Sequence, residues 1–432
     1  MKSYSLDNLN EDDLNRLCRR PKLDFESVFS QVRPILNEVK EHGDRSVRKF
    51  TKEFDGVDPN PVAVTPEHFN SDLDVKQQRA IDLAMKNVHR FHREQTQPGL
   101  EVETVPGIKC MQTTRPIERV GLYIPGGTAP LPSTAIMLGV PALTAGCKTI
   151  ILATPPDKDG NIPTSIAYIA KKIGVEKIVR AGGAQAIAAM AYGTDSVPKV
   201  DKILGPGNQY VTAAKMLLQN SDAMISIDLP AGPSEVLVIA DSKANPEFVA
   251  VDLLSQAEHG PDSQVVLAAL NGFDVEAMTQ ALESQLKKLP RASTARKALE
   301  NSFILQVETM EQAISFSNRY APEHLILNCD EASSYTDLIQ NAGSVFLGAW
   351  TPESLGDYAS GTNHTLPTYG YARMFSGVNL QSFQKSITFQ QATPEGLKHL
   401  GPTVEILAGI EGLEAHGKAV SLRLQALKKV EG

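Results

Sequence analysis

Two short segments of the chain join side chains suited to metal binding and proton transfer. Asn245-Pro246-Glu247 opens a helix with an N-cap and a proline at its first position, and Gly260-Pro261 stops it. Gln256 and His259, three residues apart in its last turn, project from one face and could serve as a pair of metal ligands. No HExxH motif or Cys/His cluster lies nearby, so further ligands would have to come from distant segments. A histidine at a helix C-terminus is equally explained by the helix dipole. Ala321-Pro322-Glu323-His324-Leu325 sets a carboxylate beside an imidazole just before the apolar run LIL. Glu and His are the usual acid and base of proton transfer near neutral pH. The two point to opposite faces if a strand has begun and to one cleft if the turn after Pro322 continues; a solvated strand start is the plain alternative.

Residues 353–364, ESLGDYASGTNH, form a polar loop punctuated by glycine, a place where function concentrates, though a plain surface loop has the same composition. Glu411 and His416 are five apart and share no helical stripe. Three glycine turns follow apolar runs: Tyr123-Ile124-Pro125-Gly126-Gly127, Ala181-Gly182-Gly183-Ala184-Gln185 and Gly205-Pro206-Gly207-Asn208. Small residues at such turns let a nucleotide or phosphate approach the backbone, although none completes GxGxxG and each alone is ordinary turn chemistry.

These residues need a scaffold of alternating elements. Residues 24–98 carry helical spacing, as in Phe25, Val28, Val32, Ile35, Leu36 and Val39. From about residue 117 short β-branched runs (KTIILAT, EKIVRAGG, VDKILGPG, SEVLVIAD, SQVVLAAL, SFILQV, EHLILN, GSVFLG) alternate with helices. That pattern indicates βαβ units with parallel sheet, too many for one small sheet, so two doubly wound lobes are expected with a boundary near 229–235. After about 378 the strand signal disappears and a helical tail is expected. Having little core of its own, it must dock elsewhere, a partner subunit included.

Length and composition narrow the class. At about 150 residues per domain, 432 residues make two or three domains. A net charge of −8 argues against nucleic acid as a partner. Cys18, Cys110, Cys147 and Cys329 form no CxxC pair, which suits a reducing cytoplasm, and the acidic start lacks a signal-peptide core. Residues 120–147 carry no charge, but five glycines and four prolines would break a membrane helix, so buried structure and no membrane span is expected.

GLYIPGG, GGAQAIAA, VPKVDKILGPGN, DLPAGPSEVLVIAD, DLLSQAEHGPDSQ, YAPEHL, AGSVFLG, ESLGDYASGTNHTLPTYGYA and EAHGKAVSLR together resemble the histidinol dehydrogenase family from about residue 100 onward. Before that, only helical character and EHGDRSVRKF match. The resemblance implies an α/β fold of two incomplete Rossmann-like, aldehyde-dehydrogenase-like lobes. The first is 23–122 with 236–378, and the second, 123–235, binds the dinucleotide; helical pieces at 1–22 and 379–432 swap across a homodimer. It implies oxidation of L-histidinol to L-histidine via L-histidinaldehyde with NAD and one zinc ion per subunit. Zinc ligands fall on Gln256, His259, Asp357 and His416, the last from the partner's tail. The proton-handling pair falls on Glu323 and His324, and dinucleotide contacts on Tyr123, Gln185 and Asn208. Substrate contacts fall on Ser234, Gln256, His259, His324, Asp357, Glu411 and His416. A thiohemiacetal route would need a reactive thiol, and Cys110 and Cys147 have no basic sequence neighbours but Lys109 and Lys148. A zinc hydrolase using the same ligands without NAD, or a non-catalytic oligomer with an assembly tail, are the rival readings.

Overall fold

The computed structural model describes residues 1–20, 25–126, 131–229 and 232–431. The chain divides into two compact units, Met1–Gln95 with Ile117–Phe383, and Thr96–Pro116 with Gln384–Gly432.

The larger unit contains two six-stranded sheets. In the first, the spatial order is Lys2–Ser5, Phe303–Val307, Gln264–Leu270, Glu235–Ala240, His324–Asn328, Ser344–Leu347, all parallel. In the second, the order is Ala63–Val64, Lys177–Arg180, Thr149–Thr154, Arg119–Tyr123, Lys202–Leu204, Ser226–Ile227, parallel except for the first pair. In each sheet the chain winds outward from a central strand, then returns to wind the other way. The reversal falls between Glu235–Ala240 and His324–Asn328 in one, and between Arg119–Tyr123 and Lys202–Leu204 in the other. Two doubly wound lobes were expected, and both are present.

Burial explains the sequence signal. Strand Glu235–Ala240 is buried at every position, as parallel strands covered on both faces must be. The uncharged stretch 120–147 supplies strand Arg119–Tyr123 and helix Pro132–Ala145, the latter buried nearly all round and closed by Gly146 in the left-handed conformation. No helix among the described residues is long and apolar enough to cross a membrane.

Three placements differ from the sequence reading. Helices Phe25–His42, Asp44–Asp55 and Val75–Arg93 pack on helices of the second sheet, because their apolar stripes meet Pro132–Ala145, Gly183–Tyr192 and Gln209–Gln219, while Asn87 also donates to the Ala359 carbonyl at 2.9 Å. The start of the chain is not purely helical, since Lys2–Ser5 pairs with Phe303–Val307. The tail also contains a strand, Gln384–Ala392, antiparallel to Ile108–Pro116 in a three-stranded sheet. That strand is largely exposed, and its apolar alternation is limited to Ile387 and Phe389; its nine-residue pairing with Ile108–Pro116 defines it.

Candidate active site

The carboxyl ends of the second sheet open on a cleft of about 920 Å³ lined by Tyr123, Gly126, Gly183, Gln185, Asn208 and neighbouring residues. All three expected dinucleotide residues therefore share one cavity; Gly127 lies outside the described residues. The buried Tyr123 hydroxyl accepts a hydrogen bond from the Gly183 N–H at 3.1 Å, and burial pushes its phenol up to about 12. At Gly205, φ is +134° and a Cβ would lie 2.1 Å from the Tyr123 carbonyl oxygen, so only glycine lets the turn pass so close. The turn is held from beneath by a buried ion pair. Asp228 accepts from the Gly205 N–H at 2.7 Å, while Lys215 Nζ donates to Asp228 at 2.6 Å and to the Gly205 carbonyl at 2.9 Å. Asn208 caps helix Gln209–Gln219 through its side-chain oxygen, which leaves its amide hydrogens for a ligand. Gln185 is buried with no partner for Oε1. Two helix N-termini and an unpartnered amide suit an anionic, dinucleotide-sized ligand.

A second cluster lies at the amino ends of the first sheet. Helix Met310–Tyr320 ends with Ala321 in the left-handed conformation; Pro322 follows, and the strand begins at His324. Glu323 and His324 are both buried, and they converge on Glu235. Glu323 Oε2 accepts from the Glu235 N–H at 2.8 Å, and His324 Nδ1 lies 3.2 Å from the Glu235 carbonyl and 3.6 Å from Glu323 Oε2. Of the two geometries open to this pair, convergence is the one adopted, since both side chains reach the peptide groups of Glu235. His324 Nε2 lies 3.2 Å from Asp357 Oδ1, and Gln256 Nε2 lies 2.8 Å from His324 Nδ1.

The charges of this cluster are coupled. Burial lowers the His324 pKa, but the Glu323 charge and the contacts with Asp357 and Glu323 raise it well above the ordinary histidine value. Burial raises Asp357, yet the hydrogen bond and charge of His324, then His364 and His259, hold it below the usual carboxylate range. Glu353 is wholly buried, accepts from Ser255 Oγ at 2.5 Å, and is pushed up to about 8 chiefly by burial. Burial alone pushes Asp252 up to about 7.

Among the described residues, no three His, Cys, Asp or Glu side chains are arranged to hold a metal ion. The expected ligand set nevertheless fits a cation through its amide. Gln256 is buried and its Oε1 has no hydrogen-bond partner, an orphan that a metal would satisfy. Asp357 lies beside it through His324, and His259 is near enough to act on the Asp357 charge. The donors are nitrogen and oxygen, which zinc accepts. Helix Pro246–Ala257 ends just short of His259, so Gln256 is buried in the helix while His259 stands exposed in the turn beyond.

Ser234 precedes Glu235 at the same sheet end and is half-buried. Glu411 and His416 belong to the smaller unit; both are exposed, flanking the turn between helices Pro394–Ile410 and Glu414–Glu431. Sequence reasoning missed four residues. Glu235 was visible as a carboxylate opening a wholly apolar run. Glu353 and His364 stood in the quoted loop with nothing to mark them as buried; His364 bridges Thr134 Oγ1 at 3.2 Å and the Asp357 carbonyl at 3.0 Å. Arg20 had no signal at all. The thiols are unsuited to catalysis where burial acts on them: Cys147 is pushed up to about 12 and Cys329 to about 11.

Fold and site define a two-lobed α/β protein with a cleft of about 920 Å³ on one sheet and a buried carboxylate–imidazole–amide cluster on the other. The family model for histidinol dehydrogenase matches residues 18–424, and the chain belongs to that family. The match reaches well into the first hundred residues, where sequence motifs alone carried little. The chain is 56% identical over 430 residues to the chloroplastic histidinol dehydrogenase of Arabidopsis thaliana, covering 99% of this chain and 92% of that one. It is 55% identical over 424 residues to the histidine biosynthesis trifunctional protein of Komagataella pastoris, covering 97% of this chain and 50% of that longer one. The crystal structure of histidinol dehydrogenase from Elizabethkingia anophelis superposes with a TM-score of 0.95 at 48% identity, covering 99% of both chains. The chain is thus an oxidoreductase of histidine biosynthesis.

Proposed function

We propose that the protein oxidises L-histidinol to L-histidine through L-histidinaldehyde, with two NAD consumed per substrate. The observation that carries this reading is the convergence of Glu323 and His324 on the two peptide groups of Glu235, beside the orphaned Gln256 amide oxygen. When bound in the cleft at Tyr123, Gln185 and Asn208, NAD supplies the hydride acceptor. Zinc held by Gln256, His259, Asp357 and the partner's His416 would orient the substrate imidazole and amino group.

The remaining steps belong to protein side chains. In the first oxidation His324, once its ring is neutral, takes the hydroxyl proton through Nε2, the nitrogen beside Asp357 Oδ1. The aldehyde must then be hydrated. Glu323, fixed by the Glu235 N–H, takes a proton from the attacking water. His324 takes the proton of the resulting diol in the second oxidation. Ser234, His324 and Asp357, with Glu411 and His416 from a partner, make up the rest of the substrate site.

The smaller unit supports a homodimer in which its tail completes the partner's site. Ile406, Leu407 and Ile410 on one helix are 64%, 56% and 76% exposed, and Leu413 follows them in the turn before His416. So much apolar surface around two exposed polar residues suits a covered face. Four free cysteines suit a reducing compartment such as the cytoplasm.

The test is NADH formation from histidinol with and without a chelator. Two NADH per histidinol, abolished by metal removal and restored by zinc, is expected. Metal-dependent consumption of a substrate with no NADH would instead support the hydrolase reading, which leaves the glycine-lined cleft without a role.

A further inference from the structure

Glu235 holds both members of the catalytic pair with its peptide groups, yet it opens a strand, where ladder pairing has only begun. What fixes it is its side chain. Arg20 Nε and Nη2 donate to the two Glu235 carboxylate oxygens, each at 2.8 Å, a bidentate fork with both side chains almost wholly buried. Arg20 is itself fixed. Its Nη1 donates to the Cys18 carbonyl at 2.8 Å, and its guanidinium carbon lies 3.6 Å from the centre of the Tyr320 ring. The Tyr369 N–H donates at 3.0 Å to Glu235 Oε1, the oxygen that Arg20 Nε also holds. Among the described residues, Arg20 forms its hydrogen bonds with Glu235 and the Cys18 carbonyl, and none with Glu323 or His324.

We propose that Arg20 is a positioning residue for Glu323 and His324, acting through the fork to Glu235. The N-terminal segment that carries it is therefore part of the catalytic apparatus and not only an edge of the sheet. This rests on the reading that Glu323 and His324 move the protons. A planar fork sets the direction of the Glu235 side chain, and with it the N–H and C=O on either side. A lysine keeps the charge but offers only a point donor. Displacing a catalytic group by about 1 Å costs on the order of 100-fold in rate.

The test uses the full-length, zinc-loaded enzyme with Arg20→Lys, Arg20→Met and Glu235→Gln. Rates on histidinol and on histidinaldehyde are measured separately, alongside zinc content, KM for NAD and melting temperature. Arg20→Met is expected to lower kcat on the aldehyde about 100-fold and Arg20→Lys about 10-fold, with zinc content and KM for NAD unchanged. A purely structural ion pair would lower the melting temperature and leave kcat of the folded fraction within about twofold of the parent. That outcome, in any of the three variants that folds, overturns the proposal. Glu323→Gln in the same assay separates the two readings: full aldehyde activity there refutes the assignment of Glu323, whereas its loss together with intact Arg20 variants refutes the positioning role alone.

Discussion

In the second sheet the cleft-lining residues Tyr123 and Asn208, with Gly205 in the turn between Leu204 and Asn208, lie at or beyond the carboxyl ends of the strands that flank the reversal of winding. In the first sheet, with the same winding, Ser234, Glu235, Glu323 and His324 precede or open the corresponding strands. The contrast has a physical basis. At the carboxyl ends of parallel strands the following helices present their N-termini, which favour anions. Helices Gly183–Tyr192 and Gln209–Gln219 begin there, and the cleft they line suits a pyrophosphate. At the amino ends the same helices present their C-termini, which favour cations and imidazoles. Helix Pro246–Ala257 ends there with Gln256 in its last turn and His259 just beyond. One winding rule, used at opposite ends, thus yields one region suited to an anion and another suited to a cation or an imidazole.

Variants should separate these two ends. The largest effect is expected for Glu323→Gln, which removes the proposed water-activating base while its neutral amide keeps a similar shape. Oxidation of histidinaldehyde should fall by about 100- to 1,000-fold, and the alcohol step far less. Equal loss in both steps, followed by stopped-flow on each substrate, would show that the roles are not divided. Gly205→Ala acts on the other end. Its Cβ would meet the Tyr123 carbonyl oxygen, so the turn must move. KM for NAD should rise about 10-fold or more, on the scale of one to two kcal/mol of strain, with KM for histidinol little changed.

The smallest effect concerns stability. Asp252, on the helix that carries Gln256, has its pKa raised from 3.8 to about 7 by burial. It stays neutral in the folded chain while the unfolded chain ionises. Its contribution to stability is complete below 3.8 and is lost as pH rises through about 7. Asp252→Asn should therefore flatten the fall in melting temperature between about pH 5 and pH 8, by a few degrees. An unchanged slope in differential scanning calorimetry would show that Asp252 ionises normally.

Much of this division was legible before the structure. The βαβ alternation gave two doubly wound lobes, and two of the glycine turns, with Asn208 after the third, line one cleft, because parallel strands and their turns have strong local signatures. Glu323 and His324 were legible as a pair of types but not as a geometry. Their convergence depends on Ala321 in the left-handed conformation and on the peptide of Glu235, 88 residues away in sequence. Arg20 was invisible for the same reason: its role exists only through a contact 215 residues distant. Strand Gln384–Ala392 was missed because its alternation, Ile387 and Phe389 alone, is too short to stand out, and its existence depends on its partner. Helices Phe25–His42 and Val75–Arg93 were recognised, but a helical stripe does not say which sheet it covers.

The central claim is that the amino end of one sheet holds metal and substrate while the carboxyl end of the other holds the dinucleotide. It is tested most directly by measuring bound zinc and NADH affinity on the same preparations of His259→Asn and Gly205→Ala. The expected result is that His259→Asn loses zinc and keeps NADH affinity, whereas Gly205→Ala keeps zinc and loses NADH affinity. Full zinc occupancy in folded His259→Asn, or unaltered NADH affinity in folded Gly205→Ala, would contradict it.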